Sequence, residues 1–312
     1  MMMKISKNNQ KQQVYHNGSL SNILKILALA LMAVLIFGCS KDDDGGNPTP
    51  TEQLRLKTYT RGATETNFSY NSDNFLNSWV EGTIASNVIY DSENRPIQVG
   101  RTSYTYNSLA RISGMTKTDE PTYVYASNFI YNNEGLIASY DFFNGYLGDS
   151  HITFMYNANN QMTTMTDKKI SSLLDCRFLF TYDGNGNISQ FKRQNSSDGG
   201  TTFTDAYTKT YTYDDKRNPS YELLKSLGIT SNLSFMYLPT GTGNIIIGDI
   251  PILNPQFYSP NNLLTYTSNS GGGTTFSYEY VYNEASLPTS VEITKNDGTV
   301  TYESWIYETV TE

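Results

Sequence analysis

Asp183, Asn185 and Asn187 carry three oxygen-bearing side chains at alternate positions, the spacing by which calcium loops present ligands. The position where such a loop places its bidentate carboxylate holds Gln194. Flanked by Gly184 and Gly186, the run also has the chemistry of a tight turn. A short Asx side chain accepts from backbone N–H groups two residues on, and glycine admits positive φ. The turn takes precedence over this weak metal candidate, and no metal or cofactor is expected. His151 is the sole histidine after residue 38, which excludes multi-histidine metal sites. A Ser-His-Asp triad would have to use it, and no nucleophile elbow accompanies it. It reads as an ordinary strand residue. Acids that could pair for glycoside hydrolysis, among them Asp183, Asp214, Asp215 and Glu284, fall in turns. No catalytic residue is assigned, and the chain is expected not to be an enzyme. Cys176 reads as a small buried hydrophobe rather than a nucleophile.

The elements that position these residues follow from eight tyrosines: Tyr70, Tyr90, Tyr106, Tyr131, Tyr156, Tyr182, Tyr213 and Tyr282. Two positions earlier the residue is aromatic or apolar each time, from Phe68 to Tyr280, so both side chains share one strand face, the face to be buried. One position later it is always Asn or Asp, a turn starter. Apolar residues or Pro recur six positions after the tyrosine, and apolar residues nine after it except at Glu222. That offset of three is no clean period of two and predicts a bulge in the returning strand. Each unit is then a β-hairpin, and paired hairpins share a continuous aromatic face.

Bulk composition agrees. The 312 residues are 38% hydrophobic and 17% charged, with 25 Tyr and 14 Phe against 2 Trp, the usage of strands and turns. The first 38 residues hold four lysines and no acid, leaving 18 basic against 30 acidic groups in the remainder, a net of -12. Such a surface repels phosphate backbones, so nucleic acid is excluded as a partner.

Residues 23–38 form an apolar run too short to span a membrane as a helix and read as the core of an export signal over 1–38. Ile36, Phe37, Gly38 and Cys39 follow at its end, and this stretch resembles a bacterial lipobox, which implies lipid attachment at Cys39 and a membrane partner through that lipid. The alternative is a plain signal with an incidental cysteine. Residues 39–51, rich in Asp, Gly and Pro, form a flexible tether. The run Ser40, Lys41, Asp42, Asp43, Asp44 resembles the acidic export tag of Bacteroidota-type surface lipoproteins, which implies an outer-membrane lipoprotein exposed on the cell. A spacer on a periplasm-facing lipoprotein is the alternative. With Cys39 lipidated, Cys176 has no partner for an intramolecular disulfide.

The hairpin motif resembles the YD repeat of the RHS family, whose pattern runs Tyr-Asp-x-x-Gly-Arg-Leu. Tyr182, Asp183, Gly186, Asn187 and Ile188 fit it best, and Arg95 and Arg111 occupy the Arg position. Single copies are loose, and the register of eight carries the resemblance. It also looks similar to uncharacterised Bacteroidota lipoprotein families described as porin-like, which implies a curled antiparallel sheet and brings no activity. The fold class expected over 52–312 is all-β, a long antiparallel meander curled into an open or closed barrel-like sheet.

Between Tyr213 and Tyr282 the period fails, marking a non-repeat insertion at about 219–275. Pro219 to Leu227 has helical spacing and a Gly228 stop, so one short helix is expected at 219–227. The remainder is either a candidate binding segment, with Ile245, Ile246, Ile247, Asp249, Phe257 and Tyr258 as contact residues, or a plug for the concave face. Function is thus expected to be that of a binding or envelope scaffold module with a glycan or protein ligand. A carboxylate-dependent glycan hydrolase and an outer-membrane transmembrane barrel are the alternatives. The terminal Thr309, Val310, Thr311 and Glu312 lack the closing aromatic common in membrane barrels.

Overall fold

The computed structural model describes residues 54–143, 149–225 and 259–310, all within the unit Glu52–Glu312. The strands run β1 (Leu54–Arg61), β2 (Thr64–Tyr70), β3 (Leu76–Glu81), β4 (Ile84–Tyr90), β5 (Pro96–Val99) and β6 (Thr102–Tyr106). They continue as β7 (Ile112–Lys117), β8 (Glu120–Tyr131), β9 (Ile137–Phe142), β10 (Ser150–Tyr156), β11 (Met162–Lys169) and β12 (Asp175–Tyr182). The last six are β13 (Ile188–Ser196), β14 (Thr204–Arg217), β15 (Asn261–Ser268), β16 (Thr274–Tyr282), β17 (Pro288–Lys295) and β18 (Val300–Thr309). Every strand is antiparallel to its neighbours in sequence, and β18 pairs with β1, closing an 18-stranded barrel.

The repeat sets the register. Residues two before and nine after the tyrosine lie opposite one another in six of the eight units, as Phe68 does with Trp79, Phe154 with Met165 and Phe180 with Phe191. Each such core side chain contributes roughly 1.5–3 kcal/mol by leaving water. These buried faces join in one cluster that draws on strands all around the barrel. The anticipated bulge is present: Thr181 pairs with Gln190 but Tyr182 with Ile188, leaving Ser189 as the extra residue. The same shift recurs at Tyr70, Tyr90, Tyr106, Tyr156 and Tyr282.

Each turn is held as its Asx residue requires. Asp91 Oδ1 accepts from the backbone N–H groups of Glu93 and Arg95 at 3.0 and 2.9 Å, and Asn157 Oδ1 does the same for Asn159 and Gln161. Four residues after the tyrosine the chain takes positive φ, at Asn94 (58°), Gly135 (83°) and Gly186 (86°), the left-handed region that Asn and Gly tolerate.

The structure adds a ninth unit. Tyr307 sits opposite Leu56 and Trp305 opposite Tyr59, the pairings of tyrosine with its sixth residue and of the core pair beside it. Here β18 supplies the outgoing strand and β1 the returning one, and no turn joins them. Nine hairpins account for the eighteen strands.

The insertion is narrower than its expected 219–275 bounds. Tyr213 pairs with Leu263, and Tyr211 with Tyr266, so β15 is the returning strand of that unit. Leu263 and Tyr266 therefore hold the roles that counting six and nine residues assigns to Pro219 and Glu222. Pro219 and Glu222 belong instead to the short helix α1 (Pro219–Lys225), whose remaining expected residues to 227 lie outside the described ones. Strand alternation hid this because an excursion of 50 positions, in place of six, separates Tyr213 from Leu263.

Candidate functional site

The turn at Asp183 is chemically complete. Its Oδ1 accepts from Asn185 N and Asn187 N, both at 2.9 Å, and its Oδ2 accepts from Asn187 Nδ2 at 2.9 Å. Asn187 is fully buried, and its side chain makes a reciprocal pair with Asn261, accepting from its N–H and donating to its Oδ1, both at 3.0 Å. Ser259 Oγ accepts from Ile188 N at 3.1 Å and donates to the Tyr213 hydroxyl at 3.0 Å. The stretch with metal-loop spacing thus anchors the returning leg of the insertion. Asp214 keeps the same cap despite the excursion, accepting from Lys216 N and from Asn262 N at 3.0 Å each.

The tyrosine hydroxyls bind the units in series. Each donates to the carbonyl of the preceding unit's sixth residue: Tyr90 to Leu76, Tyr156 to Ile137, Tyr182 to Met162 and Tyr213 to Ile188, all at 2.7 to 2.8 Å. Burial holds these hydroxyls protonated, pushing Tyr106 and Tyr131 up to about 12. Tyr282 departs from the series by donating to the Asp214 carboxylate.

At the closing seam the repeat is cut between the chain ends and keeps its chemistry. Arg55 Nε donates to Glu308 Oε1 at 2.7 Å, as Arg95 Nε donates to Asp91 Oδ2 at 2.7 Å within one chain segment. Arg55 lies 4.4 Å over the Tyr70 ring, and Arg95 and Arg111 lie 4.9 and 5.2 Å over Tyr106 and Tyr131. Tyr70 donates to Leu56 O at 2.6 Å and Tyr307 to Pro288 O at 2.7 Å, so the series runs through the seam. Arg55 and Leu56 are the Arg-Leu half of a repeat whose Tyr-acid half is Tyr307 and Glu308. Sequence reasoning missed it because the halves lie at opposite ends of the chain; the Tyr-Glu and Arg-Leu pairs were the available signal.

Where the ninth unit lacks a turn there is a cavity of about 260 Å³. Leu54 and Val310 stand at its chain-end side, Leu287 on the neighbouring turn, and Leu223 of α1 opposite. Arg55, Arg217 and Glu222 bring charge to its wall. Arg55 Nη1 also donates to Asn74 Oδ1 at 2.7 Å, while the Arg217 guanidinium has no partner among the described residues. Its charge nonetheless acts on the hydroxyl of Tyr307, opposing the upward push of burial there.

Other sequence-predicted residues fall elsewhere. His151 lies on β10 as a strand residue, half exposed, with Nδ1 2.7 Å from Asp141 Oδ1. Cys176 is partly buried on β12. Asp175 is buried and Asp167 partly buried, both on strands outside the Tyr-Asx turns and away from the seam cavity. Cys39 and the segment holding Ile245, Ile246, Ile247, Asp249, Phe257 and Tyr258 lie outside the described residues. Among the described residues no group of three or more His, Cys, Asp or Glu is arranged to hold a metal ion.

No protein-family model matches the chain, and no curated protein does. Among solved structures, a porin-like protein from Bacteroides uniformis is similar at 13% identity with a TM-score of 0.40, covering 83% of this chain and 98% of that one. A porin-like protein from Bacteroides vulgatus is similar at 12% identity with a TM-score of 0.42, covering 83% and 100%. A Photorhabdus luminescens Tc holotoxin pore structure is similar at 13% identity with a TM-score of 0.30, over 79% of this chain and 9% of the toxin chain.

Proposed function

We propose that this chain is a non-enzymatic binding module of the bacterial envelope, lipidated at Cys39, held on the tether 39–51 and exposed at the cell surface. The observation that carries it is the division of labour in the barrel. Inward faces are filled by the chain's own aromatics, outward faces mix polar and charged residues with scattered aliphatics, and a cavity opens at the rim where one turn is absent. Tyrosines whose rings are packed into the barrel core offer no open sugar platform, so recognition falls to the rim and to loops, with a glycan or protein as ligand.

The outward polarity favours a water-facing barrel over a membrane-spanning one. Glu279 and Glu292 oppose each other on the outer face of β16 and β17, and Lys192 stands outward beside the buried Phe191. A lysine on the lipid face of a barrel costs about 2–4 kcal/mol at the bilayer midplane. Exposed aliphatics such as Ile89, Met155 and Val281 lie opposite the polar Gln98, Thr164 and Ser290 on the neighbouring strand.

Protease shaving of intact cells tests the address. The domain should be cleaved while periplasmic proteins stay whole, and Cys39→Ala should abolish both palmitate incorporation and membrane retention. A domain cut only after the outer membrane is broken would remove the surface assignment.

A further inference from the structure

The seam cavity is a by-product of closure with a specific chemistry. In seven of the eight covalent hairpins five residues bridge the tyrosine and its partner, and their Asx side chain and backbone occupy the end of the unit. In the ninth unit the two strands come from opposite ends of the chain with no such turn between them, and among the described residues the Arg55–Glu308 pair crosses the gap, with Lys57 3.9 Å from the same carboxylate. The space is roofed by α1, which the excursion from the Tyr213 unit brings to this seam.

Donors dominate its polar wall. The Arg55 guanidinium uses Nε and Nη1 on Glu308 and Asn74, which leaves Nη2 without a partner among the described residues. Arg217 offers a complete guanidinium fork, the geometry that matches a carboxylate with two parallel hydrogen bonds. Glu222 is the wall's one carboxylate against these two arginines. Both seam tyrosine hydroxyls already donate to carbonyls, so they add ring faces rather than further donors. Leu54, Leu287 and Val310 supply an apolar floor, with Leu223 facing them from the roof. About 260 Å³ holds roughly nine waters at 30 Å³ each, which is the scale of one sugar ring or a dipeptide and below that of drug-sized sites.

We propose that this cavity binds a small carboxylate with an apolar face, its carboxylate on Arg217 and its body on the leucine floor. The proposal deepens the binding-module reading above and names its ligand class. Such a carboxylate reaches an envelope protein as a uronic acid of a glycan or as the C-terminus of a peptide, and the two share the chemistry that Arg217 reads.

Ligand-observed NMR titration of the full chain separates the outcomes, using D-glucuronate against D-glucose and N-acetyl-alanyl-alanine against its amide. At least one carboxylate should bind saturably and its neutral counterpart should not, and the member that binds identifies the source. Arg217→Gln should weaken binding about tenfold or more with unchanged circular dichroism, since the residue is exposed. Val310→Trp, which fills the cavity from β18's end, should also abolish it. Absence of saturable binding by both carboxylates at 50 mM, equal binding of neutral analogues, or full affinity in Arg217→Gln would each overturn the proposal. The shaving experiment is independent of these titrations, so a surface-exposed protein that binds no carboxylate loses only its ligand class.

Discussion

The hairpin of Tyr182 and the hairpin of Tyr307 make the same contacts, one across a five-residue turn and the other across the break between two chain ends. In both, the tyrosine hydroxyl reaches back to the preceding unit, and an aromatic two positions earlier meets an aromatic on the returning strand. They differ in what enforces the pairing. A turn capped by Asp183 holds the first hairpin at negligible loop-closure cost, whereas the second joins residues more than 250 positions apart. The backbone ladder between β1 and β18 and its side chains must therefore close the barrel without a turn, and failure there exposes two strand edges at once.

Trp305→Ala and Phe180→Ala remove equivalent core aromatics, each under a tenth exposed. Both should cost about 3–5 kcal/mol in denaturant unfolding. Only the seam variant should also associate, because β1 and β18 become free edges able to pair with another copy. Light scattering across a concentration series distinguishes the two, and equal association by both variants would show that the seam is no weaker than a covalent hairpin.

Tyr307→Phe and Tyr182→Phe each strand a buried carbonyl, of Pro288 and Met162 respectively, and should cost roughly 1–3 kcal/mol. If the hydroxyl series and not the turn sets register, the two losses agree within error. A much larger loss at the seam would mean that a turn contributes rigidity the hydroxyl cannot replace.

How far the sequence discloses this follows from the range of each signal. The Asx turn at Asp183, the core pair Phe180 and Phe191 and the bulge after Ile188 are settled within about ten residues, and local spacing announced them. Closure depends on Leu56 meeting Tyr307, and the returning role of Leu263 depends on an excursion of 50 positions. No local period can carry either. The cavity was invisible for the same reason, since Arg55, Arg217 and Val310 become neighbours only when the ring shuts.

Four positions before the tyrosine, the covalent hairpin carries buried Phe178 and the seam carries buried Glu303. Burial pushes the Glu303 carboxyl above its ordinary value, although Tyr59 donates to it and the Arg61 guanidinium lies 3.4 Å away. A raised carboxyl contributes its stability below the unfolded value of 4.5 and loses it as pH climbs through the folded value. Glu303→Gln should therefore match the parent in Tm near pH 4 and exceed it at pH 8. A crossover in the opposite sense would mean that Arg61 holds the carboxylate charged and strengthens the seam.

The smallest difference concerns the ion pair itself. Arg95 and Asp91 lie four residues apart, while Arg55 and Glu308 come from opposite ends of the chain, yet both pairs are partly exposed and equally short. Partly exposed pairs contribute about 0.2–1 kcal/mol and weaken with salt. Arg95→Gln should have the smaller effect of the two, because Asp91 keeps its backbone partners without the guanidinium. Arg55→Gln should reach the high end and lose most of its effect at 1 M salt, because Arg55 makes the short hydrogen-bonded contact to Glu308 across the missing turn, where Lys57 stands 3.9 Å from that carboxylate. Salt-independent destabilisation by Arg55→Gln would assign its role to stacking on Tyr70 and leave closure to the aromatic pair and the strand register.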